Sequence, residues 1–238
     1  MTPSCALTMS ICAPTRGPGW SPPGRRRLRW PTVAVWSPRP PTGPTGPDTP
    51  VSSPQTLSEA DRRIVAVWAA DCAERVLGLF EAEAPGDSRP RDAIARLRAF
   101  ARGELGVAEA RRRFVAHAAA RDVSAPAAQA AARAAGQAAS IPHMGAHALG
   151  AAAYAVKAAA LAAPDRPEAG GDEIRWQLAH LSGPARAALR QLPPVGENSS
   201  GPLGPGLLAS GLLATIIHDL QAGLADAGAE LTNALGRR

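Results

Sequence analysis

Apolar residues recur every three to four positions along most of the chain beyond residue 55, which is the period of one face of an α-helix. The first such run follows Thr56 and Ser58, either of which can cap a helix, and it stops at Pro85 and Gly86. These features predict a first amphipathic helix. Its predicted buried face consists of Val65, Trp68, Cys72, Val76 and Leu79.

Five further helices are predicted before residue 193, separated by proline and glycine residues that favour helix ends. They are the second near Pro90, the third over 107–121, the fourth from Ser124 and Pro126, the fifth over 143–163 after Pro142, and the sixth from Asp172 to about Leu192 with an interruption at 182–184. The fourth helix is nearly all alanine apart from a polar line of Gln129, Arg133 and Gln137. Such a helix can approach its neighbours closely.

The C-terminal part of the chain has a different pattern. Residues 194–206 are rich in Pro, Gly and Ser and are predicted to form a linker. Beyond them, 207–238 are predicted to form a long amphipathic helix whose apolar stripe needs a covering surface. We expect that surface to be the bundle of the same chain or a second copy, which would make a homo-oligomer. The predicted stripe is Leu208, Leu212, Ile216, Leu220, Leu224, Ala227, Leu231 and Leu235.

Residues 1–54 contain 13 of the 24 prolines and show no apolar periodicity, so we expect a disordered tail. The tail carries six Arg against Asp48 alone, a balance of +5 out of the net charge of +6. The basic character of the protein therefore belongs mainly to this tail. Binding of nucleic acid driven by these arginines is one alternative function, although the rest of the chain is almost neutral.

The composition favours an all-α protein. Alanine is in excess, whereas aromatic and β-branched residues, which strands prefer, are scarce. We expect a bundle of about six helices over 55–193, with the tail and the C-terminal helix as additions. No apolar run is long enough to span a membrane, and neither Arg25-Arg26-Arg27 nor the first 13 residues fit a secretion signal well. These observations predict a cytoplasmic protein.

The most suggestive chemistry lies at the start of the predicted fifth helix. On a helix from residue 143, the side chains of His143, His147, Tyr154 and Lys157 share one sector, opposite an apolar face. Two imidazoles four residues apart can bind a metal ion, so a metal-dependent helical-bundle hydrolase is an alternative. A catalytic motif of that kind needs a glutamate after His143 and further ligands. We therefore predict no metal, no cofactor and no catalytic residue, and expect histidines that face a partner.

Charge is distributed unevenly within the predicted bundle. Residues 57–88 have seven acids and three bases, whereas 89–121 have nine Arg and three acids, with the densest cluster at Arg111-Arg112-Arg113. A basic region of this kind is usually a solvated helix face. It would also suit an acidic protein partner. Nucleic acid is a third option, disfavoured because no aromatic residues for base stacking are interleaved with the arginines.

Several segments resemble the immunity-protein-five-like family of bacterial putative immunity proteins. They include RPRDAI at 89–94 and HALGAAAY at 147–154, which composition does not dictate, and the similarity covers about residues 57–193. The resemblance implies an all-α domain that stays in the cytoplasm, where it binds and neutralises a protein toxin used between competing bacteria. It implies no established catalytic site.

Together these observations predict a non-catalytic protein that occludes the active site of a toxin. A basic helix face and the histidine stripe would supply the contacts, and a tryptophan would serve as an aromatic anchor. The predicted contact residues are Arg89, Arg111, Arg112, Arg113, His143, His147, Tyr154, Lys157 and Trp176.

Overall fold

The structure is a computed structural model that describes residues 53–110 and 116–235, with the backbone alone for 116 and 227–235. Within these ranges the regular elements are all α-helices, which confirms the predicted all-α class. The helices are α1 (Glu59–Glu83), α2 (Arg89–Ala101), α3 (Val107–Ala110), α4 (Ala116–Ala119), α5 (Pro126–Ser140), α6 (His147–Ala162), α7 (Ala169–Ala179), α8 (Gly183–Leu189) and α9 (Gly211–Leu235). The tail predicted to be disordered lies outside the described residues up to position 52.

The first helix begins where its capping residue predicts. The Ser58 Oγ accepts a hydrogen bond from the backbone N–H of Asp61 at 3.0 Å. At the other end of α1, the Glu83 carboxylate accepts hydrogen bonds from the N–H groups of Ser124, at 2.6 Å, and Ala125, at 3.1 Å. Ala125 is the N-cap of α5, so a carboxylate from α1 supplies the acceptor that the cap residue itself lacks. These backbone donors lower the pKa of Glu83.

Helices α1, α5 and α6 form the centre of the bundle, and alanine dominates their contacts. Side chains without long branches let helix backbones approach closely, so the packing depends on shape and not on large apolar groups. Among the larger buried side chains are Trp68 and Phe80 of α1 and Phe100 of α2. The fully buried alanines of α5 and α6 include Ala131, Ala134, Ala135, Ala138, Ala148, Ala151, Ala152 and Ala155.

The prediction that the fifth helix begins at residue 143 is wrong, because α6 begins at His147. Residues 141–146, which include Pro142, form a non-helical segment made mostly of turns, and it is tied to the segment before α1. The N–H of Gly145 donates to the carbonyl of Thr56, and that of Ala146 donates to the carbonyl of Gln55, both at 2.9 Å. His143 is therefore on a turn and not on the helix face of His147.

The predicted third helix is described only at its two ends, by α3 and α4, each of four residues. The intervening residues 111–115 include Arg111, Arg112 and Arg113 and lie outside the described residues. The predicted sixth helix is confirmed as two pieces. The break lies at Ser182, whose side chain caps α8 by accepting from the N–H of Ala185 at 3.2 Å.

Residues 194–206, predicted to be a linker, are folded against the bundle. The fully buried Leu203 lies in this segment, and its N–H donates to Gln55 Oε1 at 2.9 Å. The amide nitrogen of Gln55 in turn donates to the carbonyl of Ser200 at 2.6 Å. This glutamine therefore joins the start of the domain to the segment that leads into α9.

Helix α9 packs on α6 and α7 of the same chain, so the bundle covers the apolar stripe as far as Leu224; the side chains of Ala227, Leu231 and Leu235 lie outside the described part. Ile217, Leu220 and Leu224 are buried there, as is Leu213. Leu212, which the predicted stripe includes, is 54% exposed. The prediction for Leu212 is wrong because steps of four residues drift by about 40° around a helix, and α9 begins only at Gly211. No described helix has both the length and the apolar character to cross a membrane.

Candidate partner-binding surface

The arginines of α2 are largely engaged with acids of the same chain. Arg98 reaches α1, where its Nη2 lies 2.8 Å from Asp71 Oδ1 and also contacts the Glu74 carboxylate. Arg91 reaches the same helix, with its Nη2 2.7 Å from Glu81 Oε2. The acidic balance of 57–88 and the basic balance of 89–121 therefore partly neutralise each other inside the molecule.

Arg89, one of the predicted contact residues, is engaged in the same way. Its guanidinium forms ion pairs with Asp87 and, at 2.6 Å, with Asp122. These hydrogen bonds raise the pKa of Arg89 and lower that of Asp87. A partner that used Arg89 would have to compete with these carboxylates. The predicted contacts Arg111, Arg112 and Arg113 lie outside the described residues.

A small cleft between α5 and α6, in contrast, is lined by basic residues that are not paired in this way. It has a volume of about 120 Å³, and two of its lining residues, Arg133 and Lys157, are basic while none is acidic. No described acid forms an ion pair with either base. The remaining lining residues are Pro126, Gln129, Ala130, Tyr154 and Leu161.

Tyr154 forms the inner wall of this cleft. The residue is only 2% exposed, and the Cζ atom of Arg133 lies 6.0 Å from the centroid of its ring. Lys157 follows one helical turn later on α6 and is partly buried. The structure thus brings Tyr154 and Lys157 together, as predicted from their spacing, and adds Arg133 from the polar line of α5.

The histidines lie around the other end of the α5–α6 contact. His147 Nδ1 is 2.7 Å from Gln137 Oε1, so the neutral ring donates this hydrogen bond. Burial, together with the charges of His143 and His117, lowers the pKa of His147 to about 4. The His117 ring lies against Gly136, where a Cβ atom would come within 2.6 Å of it. Burial and the charge of Arg133 lower the pKa of His117.

Trp176 lies in a separate surface stack on α7. Its ring is stacked on that of His180, with centroids 4.0 Å apart, and the guanidinium of Arg75 lies 3.8 Å from the ring centroid of Trp176. The Nε atom of Arg75 lies 3.1 Å from Oε2 of Glu173, and this carboxylate side chain is only 5% exposed. Partly exposed Trp and Arg side chains in a fixed arrangement are typical of energetically important contacts in interfaces.

The described residues contain no group of three or more His, Cys, Asp or Glu side chains placed to hold a metal ion. Of the proposed pair, His147 is hydrogen-bonded to Gln137 and His143 is on the preceding turn. Cys72 lies fully buried in α1, where burial raises the pKa of its thiol and keeps the thiol protonated.

A comparison with protein families matches residues 55–184 to the model described as Imm-5 like putative immunity protein. The match spans more than half of the chain and includes α1 to α7. The chain belongs to the Imm-5-like putative immunity protein family. This membership confirms the resemblance noted in the sequence. Searches of curated proteins and of solved structures returned no match to this chain.

The α5–α6 cleft and the Trp176 stack both lie inside the part that matches the Imm-5-like family, whereas α9 lies outside it. Sequence reasoning did not assign Arg133 to a site, although its place in the polar line of an alanine helix was a usable signal. It also missed Leu161 and Arg75. Nothing local marks these two residues, because each becomes part of a surface only through contacts with other helices.

Proposed function

We propose that this protein is an immunity protein that binds a cognate toxin in the cytoplasm of the producing cell and neutralises it by occlusion, without catalysis. The observation that carries the proposal is the family match over 55–184, which includes every residue that lines the α5–α6 cleft. Occlusion requires a surface that is complementary to the toxin in charge and shape.

The face of α5 and α6 suits this role best. It presents Arg133 and Lys157 without a described acidic partner, beside Leu161, which is 39% exposed. Cations that are already paired within the chain, such as Arg98, have less to gain from an acidic partner because the internal carboxylates must first be displaced. We therefore place the principal contact at this cleft and expect an acidic surface on the toxin.

The stack of Trp176, His180 and Arg75 is a second contact in this proposal. Its aromatic ring would bury apolar area against the toxin, while Arg75 is already oriented by Glu173. Of the other predicted contacts, Arg89 would act through its exposed edge. His143 and His147 would add contacts at the other end of the α5–α6 pair. Arg111, Arg112 and Arg113, which lie outside the described residues, stay predicted contacts.

Growth rescue in a bacterial host tests the proposal. The toxin to use is the protein encoded beside the gene, and co-expression of the full chain should restore growth that this toxin arrests. The double variant Arg133→Glu, Lys157→Glu should lose protection and weaken toxin binding at least tenfold. Arg190→Glu is the matched control, because Arg190 is exposed, forms no described ion pair and does not line the cleft.

Two results would contradict the proposal. Full protection by the double variant would show that the cleft is not part of the interface. Failure of the unchanged chain to bind the neighbouring toxin, or to protect against it, would show that the protein does not have this function. Metal analysis addresses the hydrolase alternative separately. Stoichiometric zinc or iron that is lost in His147→Ala would favour an enzyme over a binder.

A further inference from the structure

We infer that the α5–α6 cleft is a subsite for one carboxylate side chain, that of a glutamate or aspartate on the bound protein. The inference rests on the proposed function and specifies the chemistry of its interface. It depends on three features of the cleft: the donors and charges that converge in it, its size, and the apolar residues that line it.

The donors suit an oxyanion. Arg133 offers a planar guanidinium, which binds carboxylates through two parallel hydrogen bonds, and Lys157 adds a second positive charge. Tyr154 also lines the cleft, and its hydroxyl makes no hydrogen bond to a described residue, so it is a further candidate donor. Gln129 is held in place because its amide nitrogen donates to the carbonyl of Val123 at 3.0 Å.

The electrostatic state of the cleft supports the same conclusion. The positive charge of Arg133 lowers the pKa of His117, in addition to the larger effect of burial. A locally compensated guanidinium, such as that of Arg98 between Asp71 and Glu74, has carboxylates in contact with it. No described acid pairs with Arg133, so a carboxylate from a bound protein would supply the negative charge that neutralises it.

The size of the cleft favours a side chain over a larger ligand. Its volume of about 120 Å³ is well below the roughly 300 Å³ at which sites for drug-sized molecules begin. Three of the lining residues, Pro126, Ala130 and Leu161, are apolar. The methylene groups of a glutamate can pack on these residues while its carboxylate pairs with Arg133 and Lys157.

A protein fits this cleft better than a nucleic acid. Single-stranded nucleic acids bind through bases stacked on aromatic faces along a basic groove. The single aromatic residue that lines the cleft is Tyr154, and at 2% exposure its ring face is not available for stacking. The cleft can therefore hold an anionic group but offers no platform for a base.

The chain provides two site-specific reporters, because Tyr154 and Lys157 are its only tyrosine and its only lysine. The full chain labelled with 3-fluorotyrosine or with ¹³C-lysine should give one side-chain NMR signal from each residue. The probe is a blocked glutamate, N-acetyl-glutamate methylamide, titrated at constant ionic strength. We expect saturable shifts of both signals, and no such shifts with the matched blocked glutamine.

Arg133→Met should weaken the response to blocked glutamate at least fivefold, and Arg190→Met should leave it unchanged. Unchanged spectra elsewhere would show that the variant is folded. Absence of a response to blocked glutamate, or an equal response to blocked glutamine, would overturn the inference. So would tighter binding of inorganic phosphate or of an oligothymidylate than of blocked glutamate. Any of these results could occur while the toxin is still bound and neutralised, so this test is separate from that of the proposed function.

Discussion

The pair α1–α2 and the pair α5–α6 use charge in opposite ways. In the first pair, the arginines of one helix are matched by carboxylates of the other, as in the contact of Arg98 with Asp71 and Glu74. In the second, alanines pack the helices closely, and the two basic residues at the edge, Arg133 and Lys157, have no described acidic partner. The number of charges in a segment therefore does not show which charges are available to a partner.

The two helix pairs also differ in whether their charged side chains serve the stability of the fold or the binding of a partner. Ion pairs between partly exposed groups contribute little to folding, about 0.2–1 kcal/mol each, but they occupy the side chains that form them. Close packing of small residues stabilises the α5–α6 pair without using Arg133 and Lys157, for which no described acidic partner exists. We therefore expect variants of the α5–α6 interior to destabilise the fold, and variants at its edge to affect recognition alone.

The largest expected effect comes from enlarging a buried alanine in α5. Ala135→Leu adds three carbon atoms at a position with no exposed surface, and we expect a loss of about 3 kcal/mol in the free energy of unfolding because the helices must separate. Chemical denaturation followed by circular dichroism measures it. Ala95→Leu is the matched control, since Ala95 is exposed on α2 and the change there should be nearly neutral. Equal effects of the two substitutions would show that the stability of the fold does not depend on close packing at Ala135.

Local signals predicted the parts of the fold that depend on neighbouring residues, such as the Ser58 cap and the break at Pro142. Local signals did not predict the features that depend on contacts between residues far apart in the sequence. Arg98 is 27 positions from Asp71, so its engagement could not be read from the charges around it. His143 is excluded from α6 because backbone bonds from Gly145 and Ala146 go to the segment before α1, more than 80 residues earlier in the chain. Such contacts leave no periodic pattern in the sequence.

The pH dependence of stability should also differ between the two pairs. His147 has a folded-state pKa of about 4, below the ordinary value of 6.5, so the unfolded chain binds its proton first. Its contribution to stability is therefore complete above pH 6.5 and is lost as the pH falls towards 4, by about 3 kcal/mol at pH 4. The carboxylates with lowered pKa values, Asp87 and Glu104, lose their contribution only at lower pH, as the pH falls through their folded-state pKa.

His147→Asn tests this assignment, because asparagine keeps a donor near the position of Nδ1 but does not titrate. The useful quantity is the difference in unfolding free energy between pH 7 and pH 4.5, which cancels any constant loss of packing. We expect this difference to be smaller in the variant than in the unchanged protein. His180→Asn is the control, since His180 is exposed at the C-terminal end of α7. An undiminished difference in His147→Asn would show that other groups cause the acid sensitivity.

The smallest expected effect contrasts two arginines directly. Arg98→Met keeps most of the aliphatic stem but removes two ion pairs, so we expect a loss of about 0.5–1 kcal/mol that shrinks at high salt. Arg133→Met removes a charge with no described acidic partner and should change the unfolding free energy little at any salt concentration. It should instead raise the pKa of His117, measured by NMR, because the charge of Arg133 helps to lower that pKa. A stability loss in Arg133→Met that equals that of Arg98→Met and is equally sensitive to salt would show that Arg133 has an acidic partner within the chain, and the cleft would then be less suited to an incoming carboxylate.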